Sequence, residues 1–459
     1  MKVGFLPLYI ALYDEISPSM RPRCEAFYET MAKRLEAAGL EVIRTPICRI
    51  KPEFDAAVLS YEDQGADAIV TLHLAYSPSL ESIDAICATD LPVIVMDTTE
   101  TEEFTNMQDP GEISYNHGIH GVMDFCSMMM RRGKPYAIAA GYYTTSDVVD
   151  RVVGFVRAAV CAEALTETNV ALFGGVFEGM GDFSVPAYEL NDRFGIRTID
   201  VDADRVRAIY GALTDEEVAA EKQFDKDNYE FEGTIIPEEY DAAVRSGLAL
   251  RKYIDEAGLT AFSVNFTKIG PDNSGLTSMP FIECCKEMTR GIGYAGEGDP
   301  LTASFTGAFL RGYPDSTFCE IFCPDWKNDI VMLSHMGELN YNLAAVKPVI
   351  RRCGKNFTPA GFPYAGYTRM KGGHGVYVNV SRGEDDYKIV LSECDLLDFD
   401  EDNFPGDMRG WLRPACGTAQ FLENLSRFGA THHSTFVMGA TAEQIEFFAT
   451  LLGLETYII

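Results

Sequence analysis

Up to about residue 165 the chain alternates short apolar runs with longer stretches whose apolar residues recur at helical spacing. The strand-like runs are Lys2–Leu8, Leu40–Thr45, Ala68–Leu74, Leu91–Asp97 and Tyr136–Gly141. Between and after them lie amphipathic stretches at Arg21–Ala38, Phe54–Gln64, Leu80–Ala88, Gly118–Arg132 and Ser146–Leu165. Strand–helix alternation with Gly, Pro and Asp punctuation predicts a parallel sheet with helices on both faces.

The pattern restarts at Asn169, with strands at Val170–Gly175, Gly195–Val201 and Ala261–Phe266. Helices are expected at Val185–Phe194, Ala203–Leu213, Pro237–Ala257 and Met279–Thr289. The acidic stretch Asp215–Glu239 reads as a polar, helix-prone excursion on the surface. After about Glu320 the texture changes to short strands between turns, at Val331–Leu333, Gly375–Val380, Tyr387–Glu393 and Ser434–Met438. Only Gly417–Phe428 and Ala442–Leu452 look helical there. The fold class expected is therefore α/β, with two parallel-sheet α/β domains, residues 1–166 and 167–318, followed by a β-rich C-terminal domain, residues 319–459.

Composition narrows the function classes. A chain of 459 residues exceeds a single core, and two to three domains is the expectation. No apolar run approaches the ~18 residues of a membrane span. The N-terminus runs straight into a strand pattern with no signal-peptide layout, so a soluble, cytoplasmic protein without a membrane partner is expected. A formal net charge of −31 argues against a nucleic-acid partner, because a polyanion would be repelled. The 12 cysteines have no C-x-x-C spacing and read as buried free thiols.

Candidate chemistry centres on Gly291-Ile292-Gly293-Tyr294-Ala295-Gly296-Glu297-Gly298-Asp299. As a pattern, Gly291-x-Gly293-x-x-Gly296 is a dinucleotide fingerprint. That fingerprint should follow the first strand of a unit and open a helix, whereas these glycines follow a helix deep in the chain. Glu297 would also set a negative charge against a pyrophosphate. The alternative is a glycine-rich backbone presenting one carboxylate. Glu320 sits in the otherwise apolar run Ser316–Phe322, where an unpartnered acid is costly to bury. His335 and His433, two of only seven histidines, also lie in apolar surroundings. Two acids and two imidazoles make a plausible oxygen–nitrogen site for a divalent metal with room for a substrate.

The segments Gly293–Asp299, Phe318-Cys319-Glu320, Ser334-His335-Met336 and Gly429–Phe436 resemble the active-site segments of L-arabinose isomerase. More broadly they resemble the L-arabinose/L-fucose isomerase superfamily, with similarity continuing through Leu72-His73, Ser77-Pro78, Asn116–Gly121 and Asp150–Val160. The resemblance implies a barrel-like C-terminal domain and a metal-dependent aldose–ketose isomerase acting on an open-chain sugar through an enediol(ate). It implies Mn2+, with Co2+ also able to serve, held by Glu297, Glu320, His335 and His433, and acid–base catalysis by Glu297 and Glu320. Sugar contacts would come from His120, His117, Phe318 and Met336, with His120 reaching a neighbouring subunit's site in a homo-trimer or homo-hexamer. The chain departs from the family at Pro7-Leu8-Tyr9-Ile10-Ala11, where a polar Gly-Ser-Gln-His segment is usual, and at His117, which stands for a sugar-contacting glutamine. The sugar expected is therefore L-arabinose or a relative of it. A sugar-binding or regulatory protein on the same scaffold is the alternative, and an NAD-linked sugar dehydrogenase a remote third.

Overall fold

A computed structural model describes residues 1–354 and 358–459. The chain divides into two compact units, residues 1–160 and 161–459.

Unit one is built on five parallel strands: β1 (Lys2–Leu8), β2 (Glu41–Arg44), β3 (Ala68–His73), β4 (Val93–Asp97) and β5 (Tyr136–Ala140), in spatial order β2-β1-β3-β4-β5. These are the five runs expected from the apolar pattern, trimmed by two residues or fewer at each end. Continuous apolarity follows from burial on both faces. Phe5 stacks on Tyr28 of the helix Arg21–Ala37, with ring centroids 4.8 Å apart. Leu6, its neighbour, joins the opposite cluster with Phe54, Val58 and Tyr61 of the helix Lys51–Asp63.

Unit two opens with a second parallel sheet. Its strands are β6 (Asn169–Phe173), β7 (Arg197–Ile199), then, after the short β8 (Glu230–Phe231), β9 (Ala261–Val264) and β10 (Gly293–Gly296), in order β10-β9-β6-β7. β10 lies inside the glycine-rich segment that the sequence pattern leaves as irregular backbone. It is a strand because the helix Pro300–Gly312 lies flat against it: a Cβ on Gly293 would come within 2.2 Å of the Ala303 carbonyl oxygen. That helix escapes periodicity analysis because it is buried at every position except Arg311, and a helix apolar all round has no amphipathic signature.

The acidic stretch is also not wholly a surface excursion. It forms a helix, Asp215–Asn228, started by a capping box between Thr214 and Glu217. One side of it faces inward. Glu221 and Asp225 each lie 2.5 Å from the ammonium of Lys286, a buried residue on the helix Phe281–Thr289.

The remaining strands are β11 (Thr317–Asp325), β12 (Ile330–His335), β13 (Val349–Arg352), β14 (Tyr364–Tyr367), β15 (Gly373–Arg382), β16 (Tyr387–Leu397), β17 (Met408–Pro414), β18 (His433–Met438) and β19 (Glu455–Ile458). Here the β-rich, barrel-like expectation is met. Strands β15-β18-β11-β12-β17-β16 run in order, and β16 pairs back onto β15, which closes a ring of six. β19 joins β16 in parallel, and β13 and β14 form a small sheet with β8. Among the described residues no helix is long and apolar enough to cross a membrane, and none of the 12 cysteines is paired.

Candidate functional site

β10 and β9 end together at the carboxyl edge of the second sheet, the edge at which open α/β sheets present ligands. The residue after β10, Glu297, has a φ of +63°. This left-handed conformation costs a residue with a Cβ about 1–2 kcal/mol. Two main-chain hydrogen bonds hold it: its N–H donates to Val264 (3.1 Å), and its carbonyl accepts from the N–H of Phe177 (2.9 Å). The turn carries the carboxylate toward two imidazoles, with Oε2 3.8 Å from His433 Nε2 and 3.7 Å from His432 Nε2. Gly296 makes room for a third ring, since a Cβ there would lie 2.7 Å from His335 Cε1.

The barrel supplies the other donors. Glu320 on β11 stands directly opposite His433 of β18 in the ladder, and His335 ends β12. Glu320 Oε2 lies 4.0 Å from His335 Nε2. Among the described residues two overlapping donor triads result, Glu297–His432–His433 and Glu320–His335–His433. Within each, the donor atoms lie within 4.8 Å of one another.

Each of the three histidines has a carboxylate on its other nitrogen. His335 Nδ1 meets Glu338 (2.6 Å), His433 Nδ1 meets Asp299 (3.0 Å) and His432 Nδ1 meets Asp182 (2.6 Å). A carboxylate at Nδ1 keeps the proton there, fixes the ring, and leaves the Nε2 lone pair for a ligand. These acids are themselves tied down. Glu338 accepts from the Gly337 N–H (2.8 Å) and the Tyr294 hydroxyl (2.5 Å). Asp299 uses its second oxygen to cap the helix Pro300–Gly312 through the Thr302 N–H (2.9 Å).

Electrostatics follow from this crowding. Burial raises the Glu297 carboxyl, but the pull of His432 3.7 Å away and the charges of His433 and His335 outweigh it and hold it below its ordinary value. Burial pulls His335 down, and Glu338, Glu320 and Glu297 more than reverse that. His432 is raised to about 9, chiefly by the Glu297 carboxylate 3.7 Å away, against burial and with further help from Asp182. Two buried atoms, Glu297 Oε2 and His433 Nε2, have no hydrogen-bond partner. A carboxylate oxygen and an imidazole nitrogen facing each other unpaired suit a divalent cation that accepts both.

The other residues singled out in the sequence fall in varied places. Phe318 is buried against the imidazole rings, with its ring edge-on to His335 (4.8 Å) and His433 (5.0 Å). Met336 is exposed beside His335. His117 and His120 are in unit one, their rings 5.7 Å apart, with His117 Nε2 3.0 Å from the Tyr13 hydroxyl. Sequence reasoning passed over Asp299, Glu338, His432, Asp182 and Phe183. Local signals existed for three of them: Asp299 follows Glu297 by two residues, Glu338 follows His335 by three, and His432 adjoins His433. Nothing local points to Asp182 or Phe183.

Comparison with known proteins points to one family. Two family models match, the L-arabinose isomerase central domain over residues 188–310 and the L-arabinose isomerase C-terminal domain over residues 315–455. L-arabinose isomerase of Oceanobacillus iheyensis is 25% identical, over 87% of this chain and 86% of its own length. L-arabinose isomerase of Aeromonas salmonicida is 24% identical, over 94% and 89%. Among solved structures, a periplasmic solute-binding protein of Actinobacillus succinogenes with bound D-allose overlaps 68% of this chain and 91% of its own. Its identity is 12% and its TM-score 0.16, too slight to bear on function.

Proposed function

The chain belongs to the L-arabinose isomerase-like family, and from that premise we propose that it is a metal-dependent aldose–ketose isomerase acting on L-arabinose or a related aldose. One observation carries the metal-dependent part of this reading: two carboxylates and two imidazoles gather within a few ångströms, with Glu297 Oε2 and His433 Nε2 buried and unpaired.

In this reading Glu297, Glu320, His335 and His433 hold a divalent cation, Mn2+ or Co2+. Their oxygen–nitrogen character suits such ions. The cation would supply Lewis-acid polarisation of the sugar carbonyl. The remaining chemistry belongs to the protein. Glu297 and Glu320 come from opposite sides, one from the edge of the second sheet and one from the barrel. One would take the proton from C2 of the open-chain sugar and one return it to C1, through an enediol(ate). Glu338 and Asp299 keep His335 and His433 in the tautomer that leaves Nε2 free. Phe318 closes the floor behind the rings and keeps water from that side.

His117 and His120 lie in unit one and the donor set in unit two. Their role toward the sugar, and assembly into a trimer or hexamer that shares sites between subunits, form part of the same proposal. So does a cytoplasmic location.

The test is a panel of pentoses, hexoses and deoxyhexoses incubated with Mn2+-loaded protein, with products identified by NMR. Turnover of at least one aldose is expected. Glu297→Gln and Glu320→Gln should each abolish it in a protein that stays folded, and Glu320→Ala should lose stoichiometric metal. No turnover across the panel would instead favour a sugar-binding role, and full activity in both Gln variants would remove the assignment of these carboxylates.

A further inference from the structure

The segment between β6 and the helix Ala187–Phe194 does more than connect them. It runs over the donor cluster and touches it three times. The Phe177 N–H binds the carbonyl of Glu297 (2.9 Å) and so holds that residue in its left-handed conformation. The ring of Phe183 stacks on His433 at 4.8 Å, with 7° between the planes. Asp182 Oδ2 accepts both the backbone N–H of His432 (2.9 Å) and its Nδ1–H (2.6 Å). One oxygen thus fixes main chain and ring together, and Nε2 is left facing Glu297 at 3.7 Å.

His432 differs from the two other histidines in its access. Its side chain is 31% exposed, against 6% for His335 and 0% for His433. The proposed ligand set is complete without it. Isomerising an aldose also requires more than moving a proton between carbons, because the hydroxyl and carbonyl oxygens exchange roles and a hydrogen-bonding group must hold them. His432 is the accessible hydrogen-bonding side chain next to Glu297.

Resting on the isomerase reading above, we propose that residues 174–186 form a strap that assembles the site, and that Asp182 is a positioning residue that fixes the His432 ring so that Nε2 hydrogen-bonds a sugar hydroxyl bound beside Glu297. The strap therefore acts on sugar binding through His432 rather than on the metal.

The experiment compares wild type, Asp182→Ala, Asp182→Glu, His432→Gln and the double variant Asp182→Ala/His432→Gln. Calorimetry measures Mn2+ affinity and then the affinity of Mn2+-loaded protein for L-arabinitol, a non-reacting polyol; kinetics give kcat and KM separately. In Asp182→Ala the Mn2+ affinity should stay within about threefold of wild type. Arabinitol affinity and kcat/KM should each fall about tenfold, the scale of one lost hydrogen bond. Asp182→Glu should recover part of the loss. The double variant should be no worse than His432→Gln alone, because the two residues act as one unit.

Unchanged arabinitol binding in Asp182→Ala overturns the proposal. So does a fall in Mn2+ affinity as large as the fall in arabinitol affinity, or additive losses in the double variant. If the wild type binds arabinitol but isomerises nothing, the isomerase reading fails, and the binding measurements still decide the role of Asp182. If the wild type binds no arabinitol, there is no sugar for His432 to hold and the strap proposal falls with it.

Discussion

Asp299→Asn isolates the contribution of a carboxylate that would never touch the metal. Asp299 serves two partners at once: Oδ1 caps the helix Pro300–Gly312 through Thr302, and Oδ2 holds His433 Nδ1. An asparagine that keeps its oxygen on Thr302 must turn its NH2 toward His433. Two donors then face each other across 3.0 Å, unless His433 moves its proton to Nε2. The first arrangement forfeits a hydrogen bond to a charged group, about 1.5–3 kcal/mol. The second removes the lone pair that would bind metal. Either way Mn2+ affinity should fall about 10- to 100-fold, since each ~1.4 kcal/mol is a factor of ten.

Apo stability should barely change, because Asn caps helices about as well as Asp. The opposite amide orientation would spare His433 but break the cap, at a cost of about 1 kcal/mol in apo stability. Calorimetric titration of Mn2+ into metal-free protein, with urea unfolding in chelator, reads both quantities. Wild-type values for both would refute the reasoning, because no orientation of an Asn side chain satisfies both partners.

Two further predictions concern the buried charges on the helix Phe281–Thr289. Lys286→Met keeps the stem but leaves Asp225, 1% exposed, with only the Tyr240 hydroxyl at 2.6 Å as partner. Stability should drop by about 3–5 kcal/mol, visible as a lower urea midpoint, and a loss under about 1 kcal/mol would contradict the buried pairing. Glu287 is fully buried, with Oε2 unpaired. Burial, together with the charge of Glu283, raises its carboxyl to about 8, against the pull of Arg290 and Arg251. A folded value above the unfolded one costs stability as pH rises from the ordinary carboxylate value of about 4.3 up to the folded value. Glu287→Gln should therefore gain stability relative to wild type across that window, and parallel stability curves for the two proteins would count against it.

The sequence pattern was a good guide wherever one face of an element repeats. All five strands of the first sheet and the long helix Pro237–Ala257 could be placed from periodicity alone. The helix Pro300–Gly312 could not, because it is apolar on every side, and the ring closure between β15 and β16 is a long-range pairing that no local pattern encodes. The four donors could be nominated because each is a polar residue in an apolar context. Their supporting acids follow a different logic. Asp299 and Glu338 are near their histidines in sequence, whereas Asp182 lies 250 residues before His432, on a loop with no periodicity.

The ladder of the barrel sets the spacing of the site. Glu320 and His433 are cross-strand partners, with Cys319 opposite Ser434 and Phe318 opposite Thr435. Side chains on a strand alternate faces, so inserting or deleting one residue in β11 or β18 would turn Glu320 or His433 away from its counterpart. Changes of chain length that preserve activity are thus confined to the turns, such as residues 326–329 between β11 and β12 or 398–407 between β16 and β17. For an engineer grafting peptides into this scaffold, those turns are the permissive positions. For evolution, the strands act as a ruler that holds these side chains in register while the turns vary.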